Sequence, residues 1–388
     1  MDLEKALNQT VKDLPPSGIR RFFDLAAEMD DVISLGVGEP DFDTPWHIRE
    51  AGIHSIEQGK TFYTPNRGLT SLRKEICAYQ KRRFNLAYDP EKNVIVTVGG
   101  SEAIDICLRA IIEEGDEVIM MSPGYVAYEP GIRLAKGKPV LVELKQENQF
   151  KLTADELAAA ITPKTKAILL NYPSNPTGGV MTYEDYAKIV PLIKEHELLV
   201  ISDEIYAELS YDVPFCSPAN FPEIKDQCIV ISGFSKAFAM TGWRLGYLLA
   251  HETLCEQMNK IHQYVIMSAP TAAQYAAIEA MRHGDTDVEI MRQSYQMRRN
   301  FIVNGFNQLG LETFMPQGAF YIFPCIKSTG MNSEEFCEKL LASQRVACVP
   351  GSAFGKAGDG YIRVSYAYSI EQIKEALERI KAFLDTLK

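Results

Sequence analysis

The sequence has no run of apolar residues near the ~20 needed to cross a bilayer. Its opening stretch, MDLEKALNQTVKDLPPSG, has no apolar core of the kind a secretory signal requires. Both absences point to a cytoplasmic protein. It has no CxxC pair, and none of its eight cysteines stands at ligand spacing from a histidine. That excludes a zinc site and a disulfide scaffold, so no metal is expected. It has no polybasic run either: 40 lysines and arginines against 51 aspartates and glutamates leave a net charge of −11. This is the wrong sign for neutralising nucleic-acid phosphates. Internal repeats, low-complexity tracts and flexible linkers are also missing. What remains is ordinary globular material, 46% hydrophobic and 23% charged over 388 residues, enough for a large domain and a smaller one.

Short apolar runs alternate with amphipathic ones. NVIVTV (93–98), EVIMM (117–121), PVLVEL (139–144), KAILLN (166–171), LLVISD (198–203), CIVIS (228–232) and LGYLLA (245–250) read as strands. Most are nearly continuous in Val, Ile and Leu, as strands covered on both faces are. SEAIDICLRAIIEE (101–114) and TYEDYAKIVPLIKEH (182–196) have helical periodicity. The pattern predicts an α/β domain over residues 45–290 with a mostly parallel sheet. A smaller α+β domain is expected from residues 1–44 together with 291–388, where AFYIFP, VACVP and YIRVSY read as short strands among helices.

Ligands of parallel sheets bind beyond the carboxyl ends of the strands, so those ends are where chemistry is sought. NVIVTV runs into Gly99-Gly100-Ser101-Glu102 and then a helix. Glycines and free N–H groups at a helix start make a phosphate cradle, although a plain turn with Ser101 as N-cap has the same sequence. KAILLN continues as NYPSNPTGG, whose prolines and glycines force an irregular loop that presents the Asn175 amide. LLVISD closes four apolar residues and a serine with Asp203, and Tyr206 follows three residues later. A buried carboxylate needs a partner, either a helix N-terminus to cap or a protonated heterocyclic nitrogen. In SGFSKAFAMTGWRLGY (232–247), Lys236 lies among small and apolar residues, and Arg244 stands eight positions on. A lone lysine ordinarily buries its stem and solvates its head, but desolvation lowers the pKa of an amine and turns it into a nucleophile. A phosphate cradle, an acid, an amide, a phenol and an amine together match the groups of pyridoxal 5′-phosphate.

GFSKAFAMTGWRLG (233–246) resembles the lysine signature of class I pyridoxal-phosphate-dependent aminotransferases. NYPSNPTGG, SDEIYAE, GVGEPDFDTP (36–45), YTPNRGL (63–69) and YIRVSYA (361–367) are similar to that family's other landmarks, in the same order over nearly the whole chain. The likeness is greatest to the bacterial and archaeal branch that holds aromatic, aspartate and "aminotransferase A" enzymes. It implies the large-plus-small-domain fold of that family, fold type I. It also implies transfer of an amino group from an L-amino acid to a 2-oxo acid such as 2-oxoglutarate, in two half-reactions. By the resemblance, Lys236 would bind the cofactor covalently and move the substrate proton, and Asp203 would keep the pyridine nitrogen protonated. Asn175 and Tyr206 would hold the 3′-oxygen, and Tyr125 would lie against the ring face. Gly100, Ser101, Glu102, Ser235 and Arg244 would surround the phosphate. Arg363 would clamp the substrate α-carboxylate and Gly38 would close over it. Tyr63 would reach the phosphate of a partner subunit, which implies a homodimer with shared active sites.

Two departures bear on the expectation. Many relatives have a phosphate-binding serine where this chain has Gly233, so Ser235 or Ser232 has to compensate. Some bacterial aspartate aminotransferases carry a lysine at the Ser101 position, and another branch has an arginine near IMSAPTAAQ (266–274). Neither cation occurs here. Aromatic or broad amino donors are therefore favoured over strict dicarboxylates, with Arg67 of a neighbouring subunit as the candidate for a second substrate carboxylate. An aspartate aminotransferase, or a carbon–sulfur lyase on the same fold, is the alternative. A nicotinamide enzyme is excluded because GVGEP lacks the third glycine and Pro40 breaks the required helix. A non-enzymatic regulator with an added DNA-binding domain is disfavoured by the acidic charge and the short segment before residue 36.

Overall fold

The protein is described from a computed structural model covering residues 1, 3–16 and 29–387. Its first strand, β1 (Ile33–Ser34), is followed by the strands of the main sheet: β2 (Val94–Thr97), β3 (Glu117–Ser122), β4 (Lys138–Glu143), β5 (Thr165–Asn171), β6 (Leu199–Asp203), β7 (Cys228–Gly233) and β8 (Gly246–Leu249). These seven line up in the order β2-β8-β7-β6-β5-β3-β4. The pairings among β3–β7 are parallel, whereas β8 runs antiparallel to both β2 and β7. Short strands β9 (Tyr321–Ile322), β10 (Val346–Ala347), β11 (Val349–Pro350) and β12 (Ile362–Ser365) complete the set.

The apolar runs are continuous because successive residues enter different cores. Val94, Val96, Ile168, Leu170, Val200 and Val230 pack into one buried cluster, while Ile95, Ala167, Leu169, Ile201, Ile229 and Ile231 pack into another. Period-two side chains on a sheet covered on both faces require this. A third cluster joins Leu35 and Tyr206 to Tyr321, Ile362, Val364 and the helices after residue 285.

Two consequences position the site. Parallel pairing gathers the carboxyl ends of β3, β5, β6 and β7 on one edge, with Asn171 in register with Asp203. Because β8 runs the other way, the residues just before it, Arg244 included, arrive at the same edge. The N-terminal segment is then drawn over that edge. β1 pairs with β10, the Leu35 N–H donates to the Ala347 carbonyl at 2.8 Å, and the Leu35 carbonyl accepts from Ser365 N–H at 2.8 Å.

Candidate active site

The strand ends and the 36–39 segment enclose a cavity of about 590 Å³. Lys236, Asp203, Tyr206, Tyr125, Asn175, Gly100, Ser101, Ser235, Arg244, Gly38 and Arg363 all line it. Main-sheet strand order, the N-terminal segment drawn over its edge and β12 of the smaller sheet thus bring distant residues to one place.

Asp203 ends β6 and is 7% exposed. Its Oδ2 accepts from the Tyr128 hydroxyl at 2.6 Å and its Oδ1 from Ile205 N–H at 3.2 Å. Burial pushes the carboxyl above its ordinary range, and Tyr128, the Ile205 amide and the Lys236 charge pull it back only in part. No cationic side chain forms an ion pair with it among the described residues, so it is a buried acid suited to a cationic ligand atom. Glu204, next in sequence, leaves the cavity for the other face of the sheet. There the Ser202 and Ser217 hydroxyls donate to it, and burial raises it to about 7.

The Lys236 ammonium donates to the Gly38 carbonyl at 2.5 Å and lies 5.7 Å from the Tyr206 ring centroid. Burial brings this amine down to about 8, helped by the positive charges of Arg363 and Arg244 and opposed by Glu39 and Asp203. Tyr206 shares a hydrogen bond of 2.8 Å with Tyr321, and burial holds both phenols above their usual range. Tyr125 meets Tyr128 edge-on at 5.3 Å.

Arg363 is 3% exposed and sits between the rings of Tyr321 (4.5 Å) and Phe354 (4.9 Å). It donates to Asn175 Oδ1 at 2.9 Å and to the Gly36 carbonyl at 2.5 Å, and its Nε is buried without a partner among the described residues. The Asn171 side chain organises this corner: it donates to the Asp203 carbonyl at 3.0 Å and accepts from Asn175 N–H at 2.9 Å.

At the lip, Gly99 has φ +75°, and a Cβ there would sit 2.8 Å from Arg244 Nη2. Glycine therefore keeps the helix start Gly99–Ile111 against the guanidinium, leaving a concave set of N–H, hydroxyl and cationic donors suited to an anion. A side chain at Gly233 would be tight, because a Cβ would lie 3.0 Å from Ile205 Cδ1 and 3.1 Å from Gly246 Cα. Ser235 lines the cavity, while Ser232 hydrogen-bonds Tyr247.

Glu102 was expected on this cavity and is not among its lining residues, while Tyr63 and Arg67, expected at a partner's site, lie outside it. Glu102 does not face the cavity. Its carboxylate accepts from Val98 N–H at 2.5 Å and meets His262 Nδ1 at 2.5 Å. Tyr63 is 83% exposed on the outer surface. The Arg67 Nη1 donates within its own chain, to the Glu91 carbonyl at 3.2 Å and the Lys92 carbonyl at 3.0 Å. Conversely, Tyr128, Tyr321 and Asn171 line the cavity without having been singled out. The rule that found Asp203 also applies to Asn171, which ends the neighbouring strand.

Comparison with known proteins supports the same chemistry. The family model for Aminotransferase class I and II matches residues 30–380. An aspartate aminotransferase of Pyrococcus abyssi is 46% identical over 98% of both chains. An aromatic-amino-acid aminotransferase of Thermococcus litoralis is 43% identical over 99% of both. The solved aspartate aminotransferase of Thermus thermophilus with maleate superposes with a TM-score of 0.93 at 37% identity, covering 97% of this chain and 99% of that one. A buried acid, a desolvated lysine, an anion cradle and a clamped arginine around this cavity are thus what a matching sequence would build, and the chain belongs to the class I and II aminotransferase family, as an enzyme that transfers amino groups.

Proposed function

We propose that the enzyme uses pyridoxal 5′-phosphate to move the amino group of an L-amino acid, with an aromatic or broad range of donors, onto a 2-oxo acid such as 2-oxoglutarate in a ping-pong reaction. One observation carries this reading. The same cavity holds a buried acid that forms no ion pair among the described residues and a lysine amine that burial lowers to about 8. The first suits a pyridinium and the second a carbonyl carbon.

When bound, the cofactor supplies an aldehyde to take the amino group and a ring that draws electrons from the substrate α-carbon. The side chains do the rest. Lys236 lets go of the Gly38 carbonyl to hold the cofactor and then carries the α-proton, for which an amine near neutrality is well matched. Asp203, held by Tyr128, keeps a proton on the ring nitrogen. Tyr206 and Asn175 would orient the ring oxygen, and Tyr125 would pack beside the ring. Gly100, Ser101, Ser235 and Arg244 bind the phosphate. Arg363 exchanges the Gly36 carbonyl for the substrate α-carboxylate, and Gly38 closes over it.

The cationic side chains lining the cavity are Lys236, Arg244 and Arg363, all with roles above, while Val37, Ile104, Val126 and Ile205 give it apolar walls. That composition supports aromatic or broad donors over strict dicarboxylates. Phe62 (81%), Tyr63 (83%) and Tyr264 (86%) are exposed on two segments joined by the Asn66 amide donating to the Met267 carbonyl at 2.7 Å. Apolar surface of this kind suits pairing with a second copy, which would bring Tyr63 to the other site.

Full-length protein loaded with the cofactor is expected to be yellow, and borohydride should fix the chromophore to the peptide carrying Lys236. A reduced adduct on another lysine would sink the assignment. Amino acids assayed against 2-oxoglutarate should include aromatic donors among the best; turnover of aspartate and glutamate alone would overturn the substrate reading.

A further inference from the structure

His262 lies in the helix Glu252–Val265 and is completely buried. Its Nε2 is 2.7 Å from the Asn66 carbonyl and its Nδ1 is 2.5 Å from Glu102 Oε1. A carbonyl only accepts, so Nε2 must carry a hydrogen, and the second short contact holds another hydrogen between imidazole and carboxylate. The other oxygen of Glu102 accepts from Val98 N–H at 2.5 Å, immediately before Gly99. The carboxylate is therefore held from two sides behind the helix start, with 8% of its side chain exposed.

The site needs such an arrangement. Gly100 and Ser101 lie on the cavity, and Glu102 follows directly. A free carboxylate beside a helix N-terminus competes with any anion for the same N–H groups and the same positive potential. Sharing a hydrogen with His262 both turns the group away and disperses its charge. The second bond of the imidazole fixes Asn66, in the loop that carries Tyr63. That loop is further tied down where Thr271 donates to the Phe62 carbonyl at 2.8 Å.

We propose that His262 is a positioning residue for phosphate binding, acting through Glu102 on the Gly100–Ser101 cradle and through Asn66 on the loop bearing Tyr63. This rests on the reading of that cradle as the site of the cofactor phosphate. The specific mark of such a role is discrimination between pyridoxal 5′-phosphate and pyridoxal, which share every group except the phosphate.

Affinities of both compounds for the full-length protein freed of cofactor provide the test, read by absorbance titration. His262→Phe is expected to weaken pyridoxal 5′-phosphate roughly two- to thirty-fold, the range for one negative charge competing for the potential at a helix N-terminus. Pyridoxal binding should change less than about twofold on the same reasoning. Adding Glu102→Gln to His262→Phe should recover most of the loss, because the uncompensated charge is then gone. If His262→Phe does not fold, His262→Gln is measured instead, with a smaller loss in the same direction expected. Equal weakening of both compounds, or an unchanged preference in a folded variant, overturns the proposal. A native protein that binds the two compounds equally would instead remove the cradle reading itself.

Discussion

The Tyr128 hydroxyl donates to Asp203 Oδ2 at 2.6 Å, from the first turn of the helix Tyr128–Leu134 to the end of β6. Burial alone would favour the neutral acid, and this bond is the largest influence keeping the carboxylate charged. Tyr128→Phe removes it without leaving a void, so the Asp203 pKa should rise further. A hydrogen bond to a charged group contributes about 1.5–3 kcal/mol. The expected fall in kcat is therefore roughly ten- to a hundred-fold. Thermal stability should fall far less. Unchanged kcat would show that the acid is held by other means.

Gly38 and Tyr321 form a second constraint. A Cβ on Gly38 would collide with the Tyr321 hydroxyl, which itself bonds Tyr206. Gly38→Ala should push the 36–39 segment outward and raise the KM for amino acids, by roughly tenfold if about 1–2 kcal/mol of overpacking is felt. Tyr321→Phe in the same chain removes the colliding oxygen, so the double variant should bind better than Gly38→Ala alone. Additive losses would mean that the two residues do not meet in the working enzyme.

The sheet was legible because strands buried on both faces are written as unbroken apolar runs, and Asp203 stood out as a charge ending one of them. Lys236 and Arg244 were legible for the same reason, as cations in an apolar stretch. Tyr321 was not, since AFYIFP reads as core and the residue acquires its role only when β9 pairs beside Arg363 on β12. Glu102 was misplaced by adjacency. Each helical residue turns about 100° from the last, so the neighbour of Ser101 faces inward, to a histidine 160 positions away. Nothing in YTPNRGL announces that Arg67 Nη1 donates to the carbonyls of Glu91 and Lys92.

His47 gives a pH-dependent prediction away from the site. Its ring nitrogens meet Glu279 at 2.8 Å and Asp287 at 3.1 Å. Burial opposes the charged ring, but the two carboxylates together outweigh it and raise the histidine above its ordinary 6.5. A raised folded-state pKa stabilises fully below the ordinary value, and the gain is lost as pH rises through the folded value. The ring is 34% exposed, so screening keeps the effect below about 1 kcal/mol. His47→Gln should therefore lower Tm at pH 5.5 and leave it nearly unchanged at pH 9. A gap of the same size at both values would mean that the ring contributes packing only.

Arg363 is the residue for which a conservative change should be least tolerated. Its fork reaches Asn175 and the Gly36 carbonyl in two directions while its plane lies between two aromatic rings. A lysine offers one compact ammonium whose three donors share a single nitrogen, with no plane to stack and no rigid fork to span both acceptors. Arg363→Lys keeps the positive charge, so any loss reports geometry rather than charge. Removing a buried charge-assisted contact costs about 1.5–3 kcal/mol. A fall in kcat/KM for the amino donor of roughly ten- to a hundred-fold is expected on that basis, carried mainly by KM. Affinity for pyridoxal 5′-phosphate should be little altered, because the cradle lies across the cavity. If kcat falls alone while KM stays, Arg363 acts on the chemical step rather than on substrate capture, and its assignment as the carboxylate clamp fails.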